Sequence, residues 1–128
     1  MRGELVTKRL LVVDDEPDIG EYIKVVAEGM GFDVVVTTSV WDFLDSYDEQ
    51  VPSLICVDVV MPEMDGLELL KTLNERKCTT PILVISGYNK LYLHSAENLG
   101  EAFGLPYVRS MTKPLELAAL RNALAEAC

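Results

Sequence analysis

The stretch Leu10-Leu11-Val12-Val13-Asp14-Asp15 decides the fold class of this chain. Its four aliphatic residues predict a strand buried on both faces, which is typical of a parallel sheet. Because ligands bind at the carboxyl ends of parallel strands, we expect the polar residues that end such runs to line one site. Similar runs lead into other polar residues: Leu54-Ile55-Cys56-Val57 into Asp58, Ile82-Leu83-Val84-Ile85 into Ser86, and the stretch around Tyr107-Val108 into Lys113.

Strand and helix patterns alternate five times along the chain. The second strand is predicted at residues 33–38 and the fifth near residues 107–109. Parallel strands need right-handed crossovers, which place helices on both faces of the sheet. The helical patterns are marked in turn by Ile19 and Ile23, by Ser39 as a capping residue, by Leu67 and Leu70, by Tyr92 and Leu99, and by Leu117 and Leu120.

The loop after the first strand separates two versions of this architecture. A dinucleotide-binding fold would carry Gly-x-Gly-x-x-Gly there, whereas this chain has Asp14-Asp15, which would repel a pyrophosphate. The flavodoxin-like version has its switch point between the first and third strands, and it suits a site built from Asp14, Asp15 and Asp58. We therefore predict a flavodoxin-like α/β fold, a doubly wound five-stranded parallel sheet of order 2-1-3-4-5 with five helices. It would form a single domain over residues 1–128.

Composition narrows the class of protein. The chain has 21 acidic and 11 basic residues and a net charge of −10. This balance argues against direct nucleic-acid binding, which needs a basic surface. We expect neither a signal peptide nor membrane insertion, since no apolar stretch approaches the roughly 20 residues that span a bilayer. The three cysteines show no metal-binding spacing, and Cys56 has the pattern of a core residue. These features indicate a cytoplasmic, reduced protein.

The predicted strand ends would bring together three carboxylates, the hydroxyl of Ser86 and the ammonium of Lys113. Two carboxylates about 4 Å apart near a protein surface repel each other by on the order of 4 kcal/mol. Protonation or a hard cation relieves that repulsion, and Mg²⁺ is the common intracellular partner of carboxylates and phosphate oxygens. With the ion bound, one carboxylate can act as a nucleophile toward a phosphoryl group and form an aspartyl phosphate.

Each feature taken alone has a plainer explanation. An Asp pair after a strand is often a helix N-cap, and Asp58 at a strand end is more often a solvated loop residue than a nucleophile. Ser86-Gly87 alone is an ordinary turn. Taken together, these features favour phosphoryl transfer. Each lies at the end of a different predicted strand, and each supplies a functional group that the reaction requires.

The chain resembles the response-regulator receiver domains of bacterial two-component signalling over essentially its whole length. The matching pieces are Val12-Val13-Asp14-Asp15-Glu16-Pro17, Asp58-Val59-Val60-Met61-Pro62-Glu63-Met64-Asp65-Gly66, Ile85-Ser86-Gly87 and Lys113-Pro114. The resemblance implies that Asp58 accepts a phosphoryl group from a sensor histidine kinase or a phosphotransfer protein. Asp14 and Asp15 would hold Mg²⁺ together with Asp58 and the main-chain carbonyl of Val60.

The same resemblance implies the remaining roles. Ser86 and Lys113 would each contact a phosphoryl oxygen, and the Lys113–Pro114 peptide bond would be cis. Such a domain catalyses only its own phosphorylation and dephosphorylation. It would signal through its surface to a downstream protein, as a monomer or a weak homodimer.

One position departs from the family pattern. Receivers usually carry Tyr or Phe three residues before the lysine, where this chain has Ser110. Without that ring, we expect phosphorylation to act mainly through Tyr88 and the segment 89–103.

Two other functions remain as alternatives. A degenerate receiver would act only as a protein-binding module, although intact Asp15, Asp58, Ser86 and Lys113 argue against it. A phosphatase with an Asp nucleophile would carry Asp-x-Asp after the first strand and insert a cap, whereas this chain has adjacent aspartates and no room for a cap.

Overall fold

The aliphatic runs form the strands of a five-stranded parallel sheet. The computed structural model describes residues 8–58, 66–87, 98, 105 and 108–126. The strands are β1 (Lys8–Val13), β2 (Phe32–Thr37), β3 (Leu54–Asp58), β4 (Ile82–Ser86) and β5 (Val108–Thr112). The strand order β2-β1-β3-β4-β5 is the predicted one, and every pair of neighbours is parallel.

Helices cover both faces of this sheet. The described residues contain α1 (Pro17–Gly29), α2 (Val40–Glu49), α3 (Gly66–Glu75) and α4 (Leu117–Glu126). Of the helix predicted over residues 92–103, only Asn98 lies in the described part of the chain, and it is helical. Within that part, no helix has the length and hydropathy that a membrane span requires.

The alternation of side chains along each strand divides the core into two layers. In β1, Leu11 and Val13 pack with residues of α2 and α3, whereas Leu10 and Val12 pack with residues of α1 and α4. All four side chains are buried, because successive residues of a strand point to opposite faces and both faces carry helices. The doubly wound architecture predicted from the aliphatic runs is confirmed.

Local sequence explains where α1 and α2 begin. Pro17 is the first residue of α1, a position where its missing N–H breaks no hydrogen bond. The chain leaves α1 through Gly31, whose φ of +94° favours glycine. Ser39 caps α2, and its hydroxyl accepts the N–H of Trp41 at 3.1 Å.

The observed bounds correct two predicted strands. β2 lies one residue earlier than the predicted 33–38. β5 extends to Thr112, beyond the predicted end near residue 109. The sequence pattern does not predict this extension, because the second half of β5 lacks the apolar run that marks a buried strand. β5 lies at the edge of the sheet in the described structure, and Ser110 and Met111 are only half-buried there. Polar residues are therefore compatible with this strand.

Candidate functional site

The strand register places Asp14 and Asp58 side by side. Val13 of β1 pairs with Val57 of β3, and each aspartate is the next residue of its chain segment. The two residues are 1% and 5% exposed. Two neighbouring buried carboxylates need a positive partner, since their mutual repulsion adds to the cost of leaving water.

Main-chain hydrogen bonds hold Asp14 in place. Its N–H donates to the Thr37 carbonyl at 3.1 Å, which continues the pairing of β1 with β2 by one residue. The hydroxyl of Thr37 donates to the Val12 carbonyl at 2.7 Å and ties the same two strands. Oδ1 of Asp14 accepts the N–H of Glu16 at 2.9 Å. These contacts orient the carboxylate toward the carboxyl end of β3.

Lys113 supplies the positive charge. It follows β5 directly, and its Nζ lies 3.5 Å from Asp58 Oδ2 and 3.3 Å from Asp14 Oδ2. The shortest of its ion pairs, at 2.7 Å, joins Nζ to Oε1 of Glu16. Burial works to lower the pKa of Lys113, but the hydrogen bond to Glu16 and the charges of Asp14 and Asp58 outweigh it, so the pKa lies above its ordinary value. The ammonium stays charged throughout the physiological range.

Four acidic residues could hold a metal ion at this end of the sheet. One oxygen from each of Asp14, Asp15, Glu16 and Asp58 lies within 4.8 Å of the other three. Asp14 Oδ2 is buried and has no hydrogen-bond partner among the described residues, its 3.3 Å contact with Lys113 being an ion pair only. An oxygen in that situation fits a cation ligand, and a set of carboxylates suits the hard ion Mg²⁺.

Ser86 and Val60 were also predicted to belong to the site. The main chain of Ser86 ends β4 and pairs with Thr112, so the residue reaches the same edge of the sheet. The side chain of Ser86 and all of Val60 lie outside the described part of the structure, and their roles stay predictions. The predicted cis peptide bond between Lys113 and Pro114 is present.

Glu16 was not predicted as a site residue, although it lies in the segment 12–17 that resembles receiver domains. Its carboxylate makes the shortest contact to the Lys113 ammonium. A signal was present in the sequence, since Glu16 follows the Asp pair and precedes Pro17, which restricts the backbone of the residue before it. The contact itself could not be predicted from helical or strand periodicity, because Glu16 and Lys113 are 97 positions apart in the sequence.

Cys56 takes no part in this chemistry. It is 1% exposed in the middle of β3, as predicted for a core residue. Burial, reinforced by the charge of Asp14, raises the pKa of its thiol to about 12. A protonated thiol is a poor nucleophile, which agrees with a core role for Cys56.

Comparison with known proteins agrees with the geometry. The profile of the response regulator receiver domain matches residues 10–125. The chain is 35% identical over 81 residues to the alkaline phosphatase synthesis transcriptional regulatory protein PhoP of Bacillus subtilis, covering 63% of this chain and 34% of that protein. It is 33% identical over 113 residues to an uncharacterised 14.6 kDa protein of Leptolyngbya boryana, covering 87% and 85%. The chain thus spans about a third of the length of the first relative.

A solved structure shows the same fold. The chemotaxis response regulator CheY4 of Vibrio cholerae superposes with a TM-score of 0.81 at 22% identity, covering 96% of this chain and all of that one. Receiver domains are signalling switches that bind Mg²⁺ at an acidic pocket and interact with histidine kinases or phosphotransfer proteins. With nearly its whole length matched and its strand order the expected one, the chain belongs to the response regulator receiver domain family.

Proposed function

We propose that this chain is a phosphorylation-controlled switch whose phosphoacceptor is Asp58. The observation that supports the proposal most is the placement of its carboxylate, which is buried at the end of β3 with the Lys113 ammonium 3.5 Å away. Asp14, Asp15 and Glu16 surround the same point. A nucleophilic carboxylate, a fixed cation and a set of metal-binding oxygens are the parts that phosphoryl transfer uses.

The proposed reaction transfers a phosphoryl group from a phosphohistidine of a sensor histidine kinase or a phosphotransfer protein. A carboxylate oxygen of Asp58 forms a bond to phosphorus while the bond from phosphorus to the donor imidazole breaks. The imidazole nitrogen keeps the electron pair of that bond. Lys113 pairs with one phosphoryl oxygen as charge builds up, and the Ser86 hydroxyl donates to another.

Asp14, Asp15 and Asp58, with the main-chain carbonyl of Val60, would hold Mg²⁺. When bound, the ion neutralises the repulsion between the carboxylates and the incoming phosphoryl group. Without the ion, Lys113 is the described cation that contacts both Asp14 and Asp58.

The phosphorylated state ends when water hydrolyses the acyl phosphate. We propose that the chain catalyses only its own phosphorylation and dephosphorylation and acts on no other substrate. The signal passes through its surface to a downstream protein, and residues 1–128 act as one receiver domain, as a monomer or a weak homodimer. Two buried free cysteines, Cys56 and Cys78, suit the cytoplasm, where thiols stay reduced.

Incubation with acetyl phosphate and Mg²⁺ tests the proposal. A switch takes up one phosphoryl group per chain, seen as one added phosphoryl mass, and releases phosphate slowly after the donor is removed. A phosphatase would release phosphate in many turnovers without accumulating the adduct. A degenerate receiver would do neither. Either of these two outcomes would overturn the proposal.

A further inference from the structure

Glu16 is held at the site through its main chain. Its N–H donates to Asp14 Oδ1 at 2.9 Å, and its carbonyl accepts the N–H groups of Ile19 at 3.1 Å and Gly20 at 3.3 Å. Pro17 restricts the backbone of Glu16 to extended conformations, and the observed φ of −96° and ψ of 105° agree. The residue is therefore fixed between the acid pair and the first turn of α1.

The ammonium of Lys113 lies closer to Glu16 than to the proposed phosphoacceptor. The distance from Nζ is 2.7 Å to Glu16 Oε1 and 3.5 Å to Asp58 Oδ2. A phosphoryl group on Asp58 would carry nearly two negative charges and three acceptor oxygens. Such a group attracts the ammonium more strongly than the single charge of Asp58 does, and it would draw Lys113 away from Glu16.

We propose that Glu16 is a positioning residue that holds Lys113 in the unphosphorylated state and competes with the phosphoryl group for its ammonium. The inference rests on the proposed function of Asp58 and adds an internal competitor to it. Glu16 thereby biases the switch toward its unphosphorylated form. It can be displaced because its side chain is 60% exposed, whereas that of Lys113 is 15% exposed.

The exposure of Glu16 limits the size of the effect. Ion pairs with an exposed partner contribute little, and loss of this one is expected to change a binding constant by about twofold to fivefold. The carboxylate of Glu16 also adds negative charge near the site. The experiment must therefore separate a direct hold on Lys113 from a general repulsion of anions.

Titration with beryllofluoride at saturating Mg²⁺ makes this separation. Beryllofluoride mimics the phosphoryl group, so Glu16→Gln is expected to bind it about twofold to fivefold more tightly than the wild type. Glu16→Asp is expected to match Glu16→Gln, because the carboxylate keeps its charge but is one methylene too short for the contact. Glu21→Gln, an exposed glutamate of α1, is the matched control and should leave the affinity unchanged.

The same variants show which results would overturn the inference about Glu16. The inference is wrong if Glu16→Asp binds beryllofluoride with the affinity of the wild type. It is also wrong if Glu16→Gln speeds phosphorylation by acetyl phosphate as much in a Lys113→Ala background as in the wild type. In either case Glu16 acts only through its negative charge and not through its contact with Lys113. A tenfold loss of Mg²⁺ affinity in Glu16→Gln would make it a metal ligand and also overturn it. Equal beryllofluoride affinity in all chains overturns this inference alone. A wild type that binds no beryllofluoride overturns the proposed function as well.

Discussion

The Nζ atom of Lys113 lies 3.3 Å from Oδ2 of Asp14, a buried oxygen with no hydrogen-bond partner among the described residues. The ammonium therefore lies beside the carboxylates, where a divalent cation would also bind. Lys113 partly neutralises Asp14 and Asp58, and it would oppose the binding of Mg²⁺ there by like-charge repulsion. Both effects can be measured.

Lys113→Ala is expected to destabilise the metal-free protein by roughly 2 kcal/mol, because it removes the ammonium that contacts the buried carboxylates of Asp14 and Asp58. The same variant should bind Mg²⁺ more tightly than the wild type, since the competing charge is gone. Urea denaturation and a calorimetric Mg²⁺ titration measure the two quantities. Lys71→Ala, an exposed lysine of α3, is the control. Unchanged Mg²⁺ affinity in Lys113→Ala would show that the ion binds away from this ammonium.

Mg²⁺ is expected to bind the wild type weakly, at roughly millimolar concentrations, because a few carboxylates and waters form an incomplete cage. Binding should raise the melting temperature by linkage. Asp15→Ala should remove this rise, whereas Asp18→Ala, an exposed aspartate in the first turn of α1, should keep it. A full Mg²⁺ response in Asp15→Ala would place the ion elsewhere.

The aliphatic runs made the fold predictable because both faces of a parallel sheet are covered by helices. β1, β3 and β4 are buried along most of their length, so each reads as an uninterrupted apolar run. β5 is harder to recognise. Its position at the edge of the sheet leaves Ser110 partly accessible, and an edge strand does not need two apolar faces.

The approach of Asp14, Asp58 and Lys113 was predictable from topology, since the carboxyl ends of parallel strands share one edge. The position of Glu16 was not. Its backbone could be predicted from Pro17, but the direction of its side chain depends on how far Lys113 extends from the end of β5. That distance depends on how β1, β3, β4 and β5 are arranged side by side in the sheet, which a local sequence pattern does not encode.

Close packing of α1 on β2 predicts opposite effects for two glycines of the same helix. A Cβ at Gly20 would lie 2.5 Å from Cγ1 of Val36, whereas a Cβ at Gly29 would meet nothing within 4 Å. Gly20→Ala should therefore cost about 1–3 kcal/mol of stability. Gly29→Ala should be neutral or stabilise by up to about 1 kcal/mol. Adding Val36→Ala should recover part of the loss. Equal stability of the two single variants in urea would contradict this packing.

The missing aromatic predicts where activation acts. With Ser110 in that position, no ring can move at the centre of β5, so the change should fall on Tyr88 and residues 89–103, of which only Asn98 lies in the described structure. Elements that move in a switch are in general drawn from the less stable parts of a fold. Hydrogen exchange with and without beryllofluoride and Mg²⁺ measures the change. Unchanged exchange across residues 86–103 with clear protection at residues 107–112 would show the opposite mechanism.

Asp58→Asn should keep the fold and raise its stability without Mg²⁺ by about 1 kcal/mol. The substitution removes the repulsion between two neighbouring carboxylates, and Lys113 can still pair with Asp14. Urea denaturation checks this expectation. A clear loss of stability would mean that the ion pair between Asp58 and Lys113 outweighs the repulsion.

Intact-mass analysis after incubation with acetyl phosphate and Mg²⁺ tests the role of Asp58 most directly. The wild type and Asp45→Asn, an exposed aspartate of α2, should each gain one phosphoryl group that base removes. Asp58→Asn should gain none, because the nucleophile is absent. A stoichiometric, base-labile phosphoryl adduct on Asp58→Asn would contradict the assignment of the phosphoacceptor.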